Sequence, residues 1–231
     1  MIDIIPAENR HFTDIGWLQT YWLFSFSNYH DPANTNHGML RVFNDDIVQP
    51  HKGFAIHPHE EMEIVSIVLE GEMEHKDTMG NVNLISKNDV QRMTAGTGLH
   101  HSEWNHAEQP VRFFQVWIMP DIHGLQPSYD QKNFDPKSWK NSFAVVASNE
   151  ASENVVSLNT DAQIYRADLG AGQTVIHSPQ DGRYQFLYVI DGSASVNGQM
   201  LNRRDQARIT GELSLTIEAK TRTDIILIDN H

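Results

Sequence analysis

The chain has 231 residues, of which 39% are hydrophobic and none is cysteine. That composition suits a packed globular protein and excludes disulfides, thiolate catalysis and cysteine metal ligands. With 30 acidic and 17 basic side chains the formal charge is −13, which argues against direct nucleic-acid binding, since that needs a basic face.

In chain order, MIDIIPAENRHF carries no basic-then-apolar signal pattern. No apolar run approaches the about 20 residues of a membrane span, so a cytoplasmic protein is expected. Residues 12–29 are rich in aromatics (Trp17, Tyr21, Trp22, Phe24, Phe26, Tyr29) and serve either a pocket or a core. The stretch 30–38 is a turn-rich loop, and 39–43 and 53–56 are short strands joined by NDDIVQP, a loop with an acidic tip. A long apolar strand over 61–69 ends at Glu70-Gly71, and a hairpin follows that turns at Met79-Gly80-Asn81. Further strands fall at 89–93 and 111–119. The polar segment 121–142 is a linker, and short helices are placed in 130–142 and 150–160.

The stretch GFAIHPHEEMEIVSIVLEG, 53–71, holds the densest chemistry. In an extended chain residues 57, 59, 61 and 63 share one face, which aims His57, His59 and Glu63 to one side. Unpaired buried polar groups are costly, and a metal ion is a common partner for such a set. GTGLHHSEWN, 96–105, adds His101 and Glu103 on one face after two turn-forming glycines, with His100 on the other. Four donors result: His57, His59, His101 and a carboxylate, for which Glu63 competes with Glu103. His37, His75, His100 and His106 have no such geometry and are assigned to the surface or to hydrogen bonding. The donor set suits Fe, Ni, Cu, Mn or Zn alike.

At these residues the sequence resembles a known group. G-x-x-x-H-x-H-x-x-x-E-x-x-x-x-x-x-x-G followed by G-x-x-H-x-x-x-N is similar to the two halves of the cupin metal motif. LRVFNDD, GFAIHPH, TAGTGLHHSEWN and QVWIMP resemble the pirin family, in its bacterial quercetinase-like branch. The resemblance implies Glu103 as the carboxylate ligand and proton acceptor, and Fe(II) as the first choice of metal. It also implies a dioxygenase that opens a flavonol such as quercetin with O₂. Its alternative is a regulator that acts through protein partners in an iron-dependent way.

The second half repeats the first. FLYVIDGSASVNG echoes IVSIVLEG, and RRDQARI, 203–209, echoes KNDVQRM, 87–93. The counterpart of the HPH stretch keeps at most His177. The expected architecture is therefore all-β: a bicupin of two antiparallel β-barrel or jelly-roll domains packed together, with few short helices. The domains are drawn at 1–135, with the metal site, and 136–231, without one.

Overall fold

Alternating apolar and polar residues run through most of the chain, and the computed structural model, which describes residues 1–150 and 152–231, is built of strands. They are β1 (Ile2–Ile5), β2 (His11–Asp14), β3 (Leu18–Trp22), β4 (Leu40–Val48), β5 (Lys52–His59), β6 (Glu63–Glu70), β7 (Glu72–Asp77) and β8 (Val82–Ser86). Then come β9 (Asp89–Thr94), β10 (Leu99–Asn105), β11 (Val111–Ile118), β12 (Ser128–Asn133), β13 (Ala144–Ser148), β14 (Val156–Ser157) and β15 (Ala162–Leu169). The last seven are β16 (Thr174–His177), β17 (Tyr184–Asp191), β18 (Ala194–Val196), β19 (Gln199–Leu201), β20 (Gln206–Thr210), β21 (Leu215–Ala219) and β22 (Thr223–Asn230). Helical structure among the described residues is confined to single 3₁₀ turns at Ala7–Asn9 and Pro136–Trp139. The second falls within the expected helical segment 130–142, where Asp135 caps it by accepting from the Lys137 N–H. Of the segment 150–160, residue 151 lies outside the described residues, and the only regular element in the rest is the two-residue strand β14. No helix is long and apolar enough to cross a membrane.

The strands form two compact units, each an antiparallel sandwich of the cupin type. The first comprises residues 11–134 and 149–161. Its large sheet runs β12-β9-β6-β11-β4-β3-β2 and its small sheet β5-β10-β7-β8. The second comprises residues 1–10, 135–148 and 162–231. Its large sheet has β1-β20-β17-β22-β15-β13 as neighbours, and its small sheet is β16-β21-β18-β19. The small sheets match strand for strand, and the large sheets match over six strands, with β2 the one strand of the first that has no counterpart in the second. The units are not simple halves of the chain, because β1 pairs with β20 (Ile2 opposite Ile209).

The repeats have a backbone cause. Gly71 and Gly192 both adopt positive φ, and a Cβ there would meet Pro110 O at 2.8 Å and Arg222 O at 2.1 Å. Asn88 and Arg204 occupy the same left-handed conformation, and each is followed by an aspartate that closes its turn. Asp89 accepts from the Ser86 N–H at 2.8 Å and Asp205 from the Asn202 N–H at 2.7 Å.

The interiors differ. The second unit is filled by aliphatic side chains, among them Leu187, Val196, Leu215, Ile217 and Leu227. On its small sheet Val175 faces Ile217 and His177 faces Leu215. His177 is held by Asp229 at 2.6 Å, which also accepts from Arg183. The first unit is layered instead. One apolar cluster (Leu18, Val48, Val68, Phe113) closes one end, and another (Ile64, Met93, Leu99, with Trp117 against it) packs nearer the histidines. Between them a polar row crosses the large sheet in register, Ser66–Gln115–Asn44.

Candidate metal centre and its pocket

Strand β10 lies between β5 and β7, and the antiparallel register puts His57 opposite His101 and His59 opposite Leu99. The three rings converge, with centroids 4.5 Å (His57–His101), 4.8 Å (His57–His59) and 4.9 Å (His59–His101) apart. One nitrogen from each lies within 4.8 Å of the others. His57 Nδ1 is 2.7 Å from the Ala55 carbonyl, which leaves its Nε2 for the cluster. His100 points away and is exposed.

After His101 the register slips, so that Glu103 stands opposite Phe54 rather than Ala55. The slip is a β-bulge, which re-aims a side chain. It brings the two backbones together so closely that a Cβ on Gly53 would lie 2.2 Å from Glu103 O. Only glycine fits there. The bulge turns Glu103 into the polar layer, where it accepts from Ser66 Oγ at 3.0 Å and from Gln115 Nε2 at 2.9 Å. Its oxygens group with donors of His101 and His75, within 4.8 Å of one another, not with His57 and His59. His101 is the member common to both groups. Among the described residues, clusters of this kind occur only here.

His75, assigned to the surface or to hydrogen bonding, is of the second kind. It is fully buried, stands opposite Glu103 on β7, and is 3.0 Å from Asp77 Oδ2 through Nε2. Its Nδ1 is 3.5 Å from His101 Nδ1. When His75 donates from Nε2 to Asp77, its Nδ1 accepts from His101 Nδ1–H. The lone pair of His101 then sits on Nε2, the nitrogen that is buried without a hydrogen-bond partner. Such an orphaned acceptor, beside two more imidazoles, fits a divalent first-row metal, and an outer ring of this kind fixes a ligand's tautomer. Burial and the neighbouring His57 and His75 pull His101 down to about 3. Burial and the neighbouring His101 and His57 pull His59 down to about 4. Both rings are neutral at pH 7, the form that binds metals.

Glu63 does not share the site. Glu61 takes a left-handed conformation (φ 46°) between β5 and β6, and the two strands belong to different sheets, so alternation does not carry across the break. Glu63 is buried, accepts from the Asn159 N–H at 3.1 Å and lies 3.9 Å from Arg92. It thereby ties Asn159 to this unit.

His57 and His59 open onto a cavity of about 1000 Å³ lined by Trp17, Trp22, Phe26, Phe54, Trp104 and Trp117 among others. Of the aromatics singled out in residues 12–29, Trp17, Trp22 and Phe26 line it, whereas Phe24 is core; on β11 Trp117 lines it while Phe113 and Phe114 are core. Phe54 and Trp104 were missed; their position beside the histidine motifs was the available signal. Asn44 and Asp46 also line the cavity. NDDIVQP is not a loop with an acidic tip, for its first five residues continue β4. Asp45 faces the other side, in a two-pronged pair with Arg112 at 2.8 Å per bond. Asp46 faces inward and is pushed up to about 8 by burial, against the lowering effect of the Thr20 hydroxyl and with repulsion from Asp45 and Glu103.

Two cupin units, one with an imidazole cluster under an aromatic cavity and the other filled, define a bicupin. Residues 6–118 match the Pirin family and residues 145–229 match the quercetinase C-terminal cupin domain. The chain belongs to the pirin family. It is 38% identical over 230 residues to a pirin-like protein of Caulobacter vibrioides, covering 99% of both chains. It is 35% identical over 230 residues to a quercetin 2,3-dioxygenase of Escherichia coli K12, covering 99% of this chain and 98% of that one. The crystal structure of the E. coli bacterial pirin YhhW in complex with nickel(II) superposes with a TM-score of 0.94, at 33% identity, covering 100% of this chain and 99% of that one.

Proposed function

We propose that the protein is a cytoplasmic, metal-dependent dioxygenase that opens a flavonol-like substrate with O₂, and that His57, His59, His101 and Glu103 form its centre. The observation that carries this reading is the cavity: His57, His59 and Glu103 line a wide, aromatic-walled space of about 1000 Å³, with His101 clustered beside the two histidines, the size and lining of a site for a flat apolar ligand. A sealed centre beneath a charged surface would have favoured a regulator acting through protein partners. The E. coli relatives support the chemistry and extend the choice of metal, since the donors suit iron(II) and nickel(II) alike.

A divalent ion held by the imidazoles supplies Lewis acidity, which makes a phenolic hydroxyl of the ligand easier to deprotonate. Glu103 takes that proton on a carboxylate oxygen. Ser66 and Gln115 hold the carboxylate in place through its two oxygens, which restricts it to the proton-accepting geometry. Trp22, Phe54 and Trp117 stack on the rings of the substrate and keep water from it.

The test is quercetin turnover by metal-free protein reloaded separately with iron(II), nickel(II), copper(II), manganese(II) or zinc(II), with and without O₂. Loss of the flavonol absorbance that needs both metal and O₂, and that Glu103→Gln abolishes, supports the proposal. Absence of turnover with every metal overturns it.

A further inference from the structure

Four strands bring polar groups to the inner face of the large sheet of the first unit. In one row Ser66, Gln115 and Asn44 are cross-strand neighbours, and in the next Asp46 lies between Phe113 and Thr20. Ser66 and Gln115 are used by Glu103. Asn44 and Asp46 are not. Both are at least nine-tenths buried, and both line the cavity. The Oδ1 of each is buried without a hydrogen-bond partner, and so is the hydroxyl of Thr20, the cross-strand neighbour of Asp46, which lines the same cavity. As residues i and i+2 of one strand they lie about 7 Å apart along the wall. Two unsatisfied acceptors in a cavity that is otherwise mostly apolar are a departure from the rule that buried polar groups are paired. A ligand that carries hydroxyl donors restores the rule.

We propose that Asn44 and Asp46 form a hydroxyl-recognition subsite in the cavity wall, which binds a phenolic hydroxyl of the ligand other than the one facing the histidines. The proposal rests on the flavonol reading and extends it: the subsite makes the protein selective for polyhydroxylated aromatics over those with a single hydroxyl. The chemistry is suited to the task. A neutral carboxyl offers both a donor and an acceptor, and the amide of Asn44 has a carbonyl acceptor beside its two N–H donors, so a phenol can be met from both sides. A site built to pair a hydroxyl discriminates against an analogue that lacks it, because the buried groups are then left unpaired. Asp46 belongs to neither of the histidine clusters, so the subsite is a specificity device.

The experiment measures anaerobic binding, by quenching of tryptophan fluorescence, to nickel-loaded full-length protein. Two ligands are used: quercetin, and 3-hydroxyflavone, which keeps the ring system and only the 3-hydroxyl. Wild type is expected to bind quercetin at least tenfold more tightly. Asp46→Ala and Asn44→Ala should each weaken quercetin about tenfold and leave 3-hydroxyflavone within about twofold. Asp46→Asn, which keeps a donor and an acceptor in the same shape, should recover most of the quercetin affinity and guards against a fold defect in the alanine variants. Equal weakening of both ligands, or no weakening of either, overturns the subsite while leaving the flavonol reading in place. Failure of wild type to bind either ligand overturns both.

Discussion

Asp46 should make the protein less stable as the pH rises, and Asp46→Asn should remove that dependence. The carboxyl is pushed from an ordinary 3.8 to about 8, with burial as the main cause. Between pH 4 and 8 the unfolded chain therefore carries a charge at this residue that the folded protein does not. At this residue folding takes up one proton in this interval, so the contribution of Asp46 to stability falls by about 1.4 kcal/mol for each pH unit relative to a side chain that cannot ionise. Across the whole interval this amounts to roughly 5 kcal/mol, and below pH 4 the effect is absent because both states are protonated. Asparagine matches the neutral acid in shape and cannot ionise. Its starting stability can lie above or below wild type according to how its amide is met, so the slope is the diagnostic. For a protein of this length about 2–4 °C of melting temperature accompanies each kcal/mol. Thermal unfolding of both proteins, metal-free, at pH 5, 6 and 7 should show the variant gaining several degrees on wild type with each step. A constant gap, or one that narrows as the pH rises, would refute the assignment of a neutral Asp46.

Three further outcomes follow from the site. His57→Ala, His59→Ala and His101→Ala should each lose most bound metal while His100→Ala keeps it, because His100 is on the outer face; equal loss in all four by elemental analysis would defeat the face assignment. His75→Leu should weaken metal binding about 10–100-fold without abolishing it, the range usual for groups that orient a ligand. Chelator competition measures this, and unchanged affinity would mean that His101 is oriented by other contacts. Gly53→Ala must push apart the backbones of β5 and β10 at the bulge, where the added carbon would sit 2.2 Å from Glu103 O. It should destabilise by about 1–3 kcal/mol and reduce metal content, and a wild-type melting temperature would contradict the close approach.

Much of the architecture was legible in the sequence because its signals are local. Period-two alternation marks strands wherever one face is buried, and glycines such as Gly71 and Gly192 mark positions that only glycine occupies. The repeated KND and RRD turns report a duplicated unit for the same reason, since an aspartate two or three residues from an N–H needs no distant partner. The convergence of His57, His59 and His101 was also accessible, because HxH on one strand and a single histidine on another need only an antiparallel pairing to meet.

What the tertiary structure alone decided depends on register between distant strands. Alternation placed Glu63 beside His57, but the turn at Glu61 sends β6 into the other sheet and Glu63 toward Arg92 and Asn159. The bulge opposite Gly53 turned Glu103 into the polar layer with Ser66, Gln115 and His75, and no local pattern contains that slip. His75 looked like one more hydrophilic residue in a hairpin, and became a buried neighbour of His101 only when β7 paired with β10. Asn44-Asp45-Asp46 read as a loop because charged runs are usually solvated. They lie instead on a central strand, since Arg112 on β11 meets one carboxylate and the cavity receives the other two side chains. Hydrogen-bond satisfaction of a buried polar group is a property of its neighbours in space, and only folding chooses those neighbours.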